Sequence, residues 1–324
     1  DKDMTIVGGR YGLSSKNTTP AQIKAVYDML EECPKHNFTI GILDDVTNTS
    51  LEIPDYSIDL NDLEVKIFGF GSDGMVSASK DILHIIGENS PSFVQGYFEY
   101  DSKKSGGVTV SNLRISESEI RAPFYVTSPN VLVVTKPEYF DSFEILKDVR
   151  EGATLLVSTN DDVALVSKFK KSDLDIIRSK NIQIMTIDAE QVALKHQLKG
   201  KINKIMEVII LSLLGIDKAE ELVTETIKTE FATKGEEIVK NNIAAIQGVF
   251  QEVHSITIGE GNNENDVLKN FSIFERIHRR LGNEIKVSEI EPFKDGTFPA
   301  GLSKLEKRKV AQKVVKWKSE HCIQ

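Results

Sequence analysis

The chain has 324 residues, 40% hydrophobic and 27% charged, enough for two or three α/β units with substantial cores. A net charge of −9 argues against a general nucleic-acid binder and leaves room for a local basic pocket that holds an anion. Two cysteines, Cys33 and Cys322, make no disulfide framework and suit a reducing, cytoplasmic setting, and no apolar run approaches the 18 residues of a membrane span.

The chain opens on Asp1 without an initiator methionine, which suggests an internal piece of a longer protein. Met4–Val7 predicts a short buried strand, and the turn-rich residues from Gly8 to Lys16 follow it. Thr19 is placed to cap a helix, Pro20 suits its first position, and Gln22 completes a capping box. Phe38–Ile42 is the next strand, ending at Asp44-Asp45, a pair without a partner acid or base that reads as a turn or a domain contact. Two strands are too few to form a full sheet, so residues 1–61 are expected to be the C-terminal part of an α/β domain. From residue 62, strands are predicted at Val65–Phe68, Phe93–Phe98, Asn130–Thr135, Ala153–Ser158 and Ile182–Ile187. Helical patterns at Met75–Ile86, Tyr139–Val149 and Leu174–Ser179 lie between them, and residues 200–250 read as further helices. This alternation over 62–250 predicts an α/β fold with a doubly wound, mostly parallel sheet. Residues 251–324 carry Gly, Asn and Pro without a clear period and are expected to form an irregular connector.

The strongest local signal is Gly69-Phe70-Gly71-Ser72-Asp73-Gly74-Met75, a G-x-G-x-x-G pattern between an apolar strand and a helix. Glycines let the backbone approach a diphosphate, and free amides at a helix start accept its charge. The plain alternative is a tight strand-to-helix turn. A nicotinamide dinucleotide would want an acid after the next strand, and Glu99 or Asp101 is near enough. The following Lys103-Lys104-Ser105-Gly106-Gly107 suits a further phosphate, as on coenzyme A or a phosphorylated dinucleotide, or is a solvated turn. Pattern alone leaves coenzyme A and NADP unresolved. No nucleophile–base pair or metal spacing stands out among the six histidines, and His84 reads as a packing residue on its helix.

Several segments, in a single order, resemble the pyruvate:ferredoxin (flavodoxin) oxidoreductases. They are Gly8-Gly9-Arg10-Tyr11-Gly12-Leu13-Ser14-Ser15-Lys16, then His36-Asn37-Phe38-Thr39-Ile40-Gly41-Ile42 with Asp44-Asp45-Val46-Thr47, and Gly69 to Lys80. Gln95 to Gly107 and Asp295-Gly296-Thr297-Phe298-Pro299-Ala300-Gly301 complete the set. The resemblance implies part of a transketolase C-terminal-like domain at 1–61, a coenzyme A-binding domain at 62–250, and a connector at 251–324 leading to an iron–sulfur domain. In such enzymes a 2-oxoacid is decarboxylated on thiamine diphosphate with magnesium. Electrons leave through iron–sulfur clusters to ferredoxin or flavodoxin, and coenzyme A takes the acetyl group.

Carried over by position, Gly71, Ser72, Asp73, Gly74 and Met75 meet the nucleotide, Lys103 meets a phosphate, and Asn203 and Asn242 are further contacts. Trp317 to Cys322 resembles the approach to the first cluster motif, with Cys322 at its first ligand position. One thiolate cannot hold a cluster, so in this chain Cys322 reads as a free thiol. The segment is expected to bind and orient coenzyme A, to be inactive alone, and to belong to a homodimer when the enzyme is whole. The alternatives are a pyruvate:NADP oxidoreductase, which shares these domains, and an NADP-dependent Rossmann-type dehydrogenase.

Overall fold

The structure is a computed structural model and describes residues 4–12, 14–58, 60–101, 107–198, 200–259, 271–305 and 315–322. Strand β1 (Gly9–Tyr11) pairs in parallel with β2 (Phe38–Ile40), and helix α1 (Pro20–Glu32) joins them. The helix starts as its sequence demands: Gln22 N–H donates to Thr19 Oγ1 at 3.3 Å, and Thr19 N–H donates to Gln22 Oε1 at 2.9 Å. Met4–Val7 is not the strand its pattern suggested, since Met4 and Ile6 are exposed and no strand among the described residues pairs with them. Pairing begins at Gly9, whose missing side chain makes room for the Phe38 ring; a Cβ there would stand 2.3 Å from Cζ.

The main sheet is built by β3 (Leu63–Phe70), β4 (Phe93–Tyr100), β5 (Val108–Ser116), β6 (Val131–Val134), β7 (Thr154–Ser158), β8 (Gln183–Ile187) and β9 (His254–Ile256). Their spatial order is β4-β5-β3-β6-β7-β8-β9. Strands β3, β6, β7 and β8 form a continuous parallel block, and β5 and β9 flank it antiparallel. As β4 is antiparallel to β5, it runs with the block, so β3, β4, β6, β7 and β8 all point one way.

Both faces are covered, which is why the central strands are apolar without alternation. Helices α2 (Met75–Asn89), α5 (Ala189–Lys195), α6 (Asn203–Leu213), α7 (Ala219–Glu230) and α8 (Glu236–Ile246) lie on one face, over Ile67, Val133 and Leu156. Between α2 and α5 in the chain come α3 (Asp162–Lys168) and α4 (Lys171–Ser179), which cover Phe68, Leu132 and Leu155 on the other face. The segment expected to be a helix at Tyr139–Val149 is instead a 3₁₀ turn, Pro137–Asp141, followed by turns. Tyr139, Phe140, Leu146 and Val149 are buried as an amphipathic helix would bury them, but the chain reaches them through short-range turn bonds.

Strand β5 was not foreseen. Its Ser111, Asn112 and Arg114 look like surface residues, yet all three are buried. Arg114 is satisfied inside the sheet: Nε donates to Glu64 Oε1 at 2.7 Å, and Nη1 and Nη2 donate to Gln95 and to the carbonyls of Phe124 and Tyr125.

Beyond the sheet, α9 (Ile273–His278) and α10 (Val287–Ile290) belong to an irregular segment that crosses both preceding parts. Arg280 reaches Glu99 at 3.2 Å, Arg279 Nη1 donates to the Asp141 carbonyl, and Ser288 donates to Asp45. Asp45 is thus a contact between segments, while Asp44 closes its own turn with Thr47 and Thr49. Among the described residues no helix is long and apolar enough to cross a membrane.

Candidate functional site

The parallel block puts the carboxyl ends of β3, β6, β7 and β8 on one edge, where the chain leaves β3 for one side and β6 lies on the other. Ligands of open α/β sheets bind at such reversals. At that edge the β3–α2 turn folds around the Asp73 carboxylate. Its Oδ2 accepts from Phe70 N–H at 2.6 Å and from Thr135 Oγ1 at 2.9 Å, and Oδ1 accepts from Met75 N–H at 2.9 Å. Burial pushes the Asp73 carboxyl above its usual range, against the pull of these three donors. Met75 is buried in the core and Gly71 N–H is taken by the Gly107 carbonyl, so Gly71, Asp73 and Met75 hold the turn from within.

Ser72 is exposed and Gly74 half-buried, and both have positive φ, 89° and 88°. The first helical bond of α2 is Ala78 N–H to the Gly74 carbonyl, which leaves the amides of Val76 and Ser77 ahead of it as the helix's natural anion donors.

A second helix start arrives at the same place. Asn203, first residue of α6, lies over Gly74: a Cβ on Gly74 would stand 3.0 Å from Asn203 Cβ and 3.1 Å from its Cγ. The Asn203 side-chain amide has no hydrogen bond among the described residues, and no side chain caps α6. Two of the residues singled out in the sequence, 129 positions apart, are therefore neighbours.

Lys103 falls outside the described residues, as does Lys104. Asn242 is buried on α8 and donates to the Ile238 carbonyl one turn back at 2.8 Å. Glu99 is engaged by Asn112 and Arg280. His84 is exposed and paired with Glu88 at 3.2 Å, so it is a surface residue and not a packing one, because its helix turns Ile82 and Ile85 to the core instead. Cys322 is exposed, and no group of three metal-ligating side chains occurs among the described residues.

Sequence reasoning did not single out Thr135 and Lys136, which follow β6. Thr135 anchors the glycine turn, and Lys136 lies 5.8 Å from the Phe70 ring and pairs with Glu190. The available signal was two polar residues after the apolar run of β6. From there a cavity of about 460 Å³ runs along the carboxyl ends of β6, β7 and β8, past Ser158, Asp161 and Asp188, to Gly200 just before α6.

The family model of pyruvate ferredoxin/flavodoxin oxidoreductase matches residues 64–252, more than half of the chain. The chain belongs to this family. A domain of unknown function matches residues 268–311, over part of the irregular segment. Among relatives, the pyruvate-flavodoxin oxidoreductase of Nostoc is 37% identical over 98% of this chain and 28% of that protein. The pyruvate:ferredoxin oxidoreductase of Moorella thermoacetica is 34% identical, with 100% and 29% covered. The chain therefore spans less than a third of the length of these oxidoreductases. Among solved structures, the pyruvate oxidoreductase subunit PORC of Thermotoga maritima matches at 25% identity and a TM-score of 0.48, over 60% of this chain and 99% of that one.

Proposed function

We propose that this chain is the coenzyme A-binding segment of a pyruvate:ferredoxin or pyruvate:flavodoxin oxidoreductase, with the binding unit at 62–250, part of a preceding α/β domain at 1–61, and a connector at 251–324 whose first residues add β9 to the binding unit's sheet. The observation that carries the reading is the meeting of two helix starts, α2 and α6, at Gly74 and Asn203 on the carboxyl edge of the parallel sheet. Amides at two helix N-termini accept a diphosphate without a counter-charge from the side chains. In this reading Ser72 and Gly74 and the amides of Val76 and Ser77 meet the diphosphate, and Asn203 donates from above. Lys103 supplies the cation for the ribose phosphate, and Lys136 adds a positive charge at the mouth. Asp73 and Met75 set the turn, and we place the amide contact at Asn203 in preference to Asn242, whose donor is engaged.

The whole enzyme, on this proposal, converts pyruvate and coenzyme A to acetyl-CoA and CO₂ and passes electrons to ferredoxin or flavodoxin; the names of the relatives support pyruvate and the electron acceptors. Thiamine diphosphate with magnesium would supply the decarboxylation chemistry and iron–sulfur clusters the electron path, in parts outside this chain, with two copies forming a homodimer. What this segment contributes is proximity: it holds the nucleotide end of coenzyme A so that the thiol reaches an acyl intermediate in a fixed orientation. Titration calorimetry of the purified chain with coenzyme A, dephospho-coenzyme A and NADP tests the reading. Coenzyme A should bind tightest and lose about tenfold without its 3′-phosphate or in Lys103→Ala, in line with a single charge-assisted contact. Tighter binding of NADP would favour a dehydrogenase.

A further inference from the structure

Lys204 follows Asn203 on α6 and is 2% exposed, although its side chain ends in an ammonium. Nζ lies 2.7 Å from Asp81 on α2, 2.9 Å from Glu230 at the end of α7 and 3.1 Å from Glu207 one turn along α6, and 6.0 Å from the centre of the Phe231 ring. Around this cluster the α2–α6 interface is apolar, with Ile82, Ile205 and Ile209 in one core. The apolar driving force is non-directional, so a directional bond adds to what the packing of ridges into grooves sets for the height of one helix against the other. A buried ion pair is a poor source of net stability, since desolvation offsets most of its attraction, but its directional bonds fix register.

The placement of this pair matters. Asp81 lies two turns along α2 from Gly74, and Lys204 is the next residue after Asn203, so the bond between them fixes the height of Asn203 above the glycine turn. We propose that Lys204 is a positioning residue that, through Asp81, locks the start of α6 to α2 and holds Asn203 over Gly74 for the anionic ligand. The ligand part of this inference rests on the reading of the site as a coenzyme A pocket; the register part does not.

Two variants separate positioning from simple support. Asp81→Asn removes the charge from the α2–α6 link, and Glu230→Gln removes it only from the α6–α7 link; each variant leaves the buried Lys204 ammonium the remaining carboxylates, so neither change strands it. In the ligand-free chain, exchange of the Met206 amide, which closes the first bond of α6 onto Ile202, should quicken about tenfold in Asp81→Asn and stay within twofold in Glu230→Gln. Coenzyme A affinity measured by calorimetry should follow the same split, with Asp81→Glu recovering most of the loss. Equal behaviour of Asp81→Asn and Glu230→Gln in exchange would overturn the inference, whether or not the ligand binds. A wild-type chain that takes up no coenzyme A would defeat the reading of the site, while the exchange comparison still decides the role of Lys204.

Discussion

Thr135 donates a 2.9 Å hydrogen bond to Asp73, joining the end of β6 to the turn after β3 across 62 positions of sequence. With Phe70 and Met75 as the other donors, the buried carboxylate is the point on which the glycine turn is built. Asparagine cannot replace it, because either orientation of the amide sets an NH₂ group against a backbone donor. Asp73→Asn should lower unfolding stability by about 2–4 kcal/mol, since even in its better orientation the amide keeps the Phe70 and Thr135 bonds but loses the charge-assisted bond from Met75 and leaves that buried N–H facing another donor. Urea unfolding followed by circular dichroism measures this. A loss below about 1 kcal/mol would mean that the turn is held by its strands alone.

Gly74 combines a backbone that L-residues avoid with a neighbour that cannot retreat. A methyl group there meets Asn203 Cβ, an atom fixed by the α6 backbone, at 3.0 Å. Gly74→Ala should therefore cost about 1–2 kcal/mol for its φ of 88° and more for the contact. In a double-mutant cycle, Asn203→Gly should recover the contact share and leave the backbone share. Strict additivity of the two changes would show that the residues do not touch.

Arg114 offers the sharpest test of the β3–β5–β4 arrangement, as its guanidinium is shared by Glu64 of β3, Gln95 of β4 and two loop carbonyls. Removing it strands the Glu64 carboxylate, which is 4% exposed and whose other ion-pair partner among the described residues is Arg150 at 3.9 Å. Arg114→Met should destabilise by about 3–5 kcal/mol, whereas the paired change with Glu64→Gln should cost less. Thermal unfolding of the single and double variants reads the difference directly.

Glu207 is fully buried beside Lys204, with Asp81 on α2 and Glu230 on α7 sharing the same ammonium. Burial raises its carboxyl from 4.5 to about 8, opposed by Lys204 and helped by the two other acids. Three carboxylates compete for one cation, and the one without exposure keeps its proton. The native state therefore holds a proton that the unfolded chain has released, and stability falls as pH rises from about 4.5 to about 8. Glu207→Gln mimics the protonated form and should remove this slope. The variant should match the wild type near pH 5 and exceed it near pH 8 by an amount on the order of a few kcal/mol, since each tenfold change in proton affinity is worth about 1.4 kcal/mol. Denaturant midpoints across that range check it; parallel curves would place a charged Glu207 in the native state.

The parallel block was legible because burial on both faces leaves its strands as apolar runs, as in Val131 to Val134, and because the capping box at Thr19 is a local device. Strand β5 was not, since the buried Asn112 and Arg114 find partners contributed by other strands, which no local pattern reveals. Met4–Val7 failed for the opposite reason: an apolar run forms a strand only where another strand lies beside it. At the site, the glycine turn could be read from its spacing, while Asn203 came from family resemblance. Thr135 and Lys136 were missed because their role exists only once β6 is placed beside β3.

The most direct test of the binding site is amide hydrogen exchange of the chain with and without saturating coenzyme A. Protection should concentrate in two stretches distant in sequence, Gly74 to Ser77 at the start of α2 and Asn203 to Ile205 at the start of α6, with little change in α3 or α4. Protection confined to the cavity beside Asp161 and Asp188, or absent from both helix starts, would contradict the proposed site.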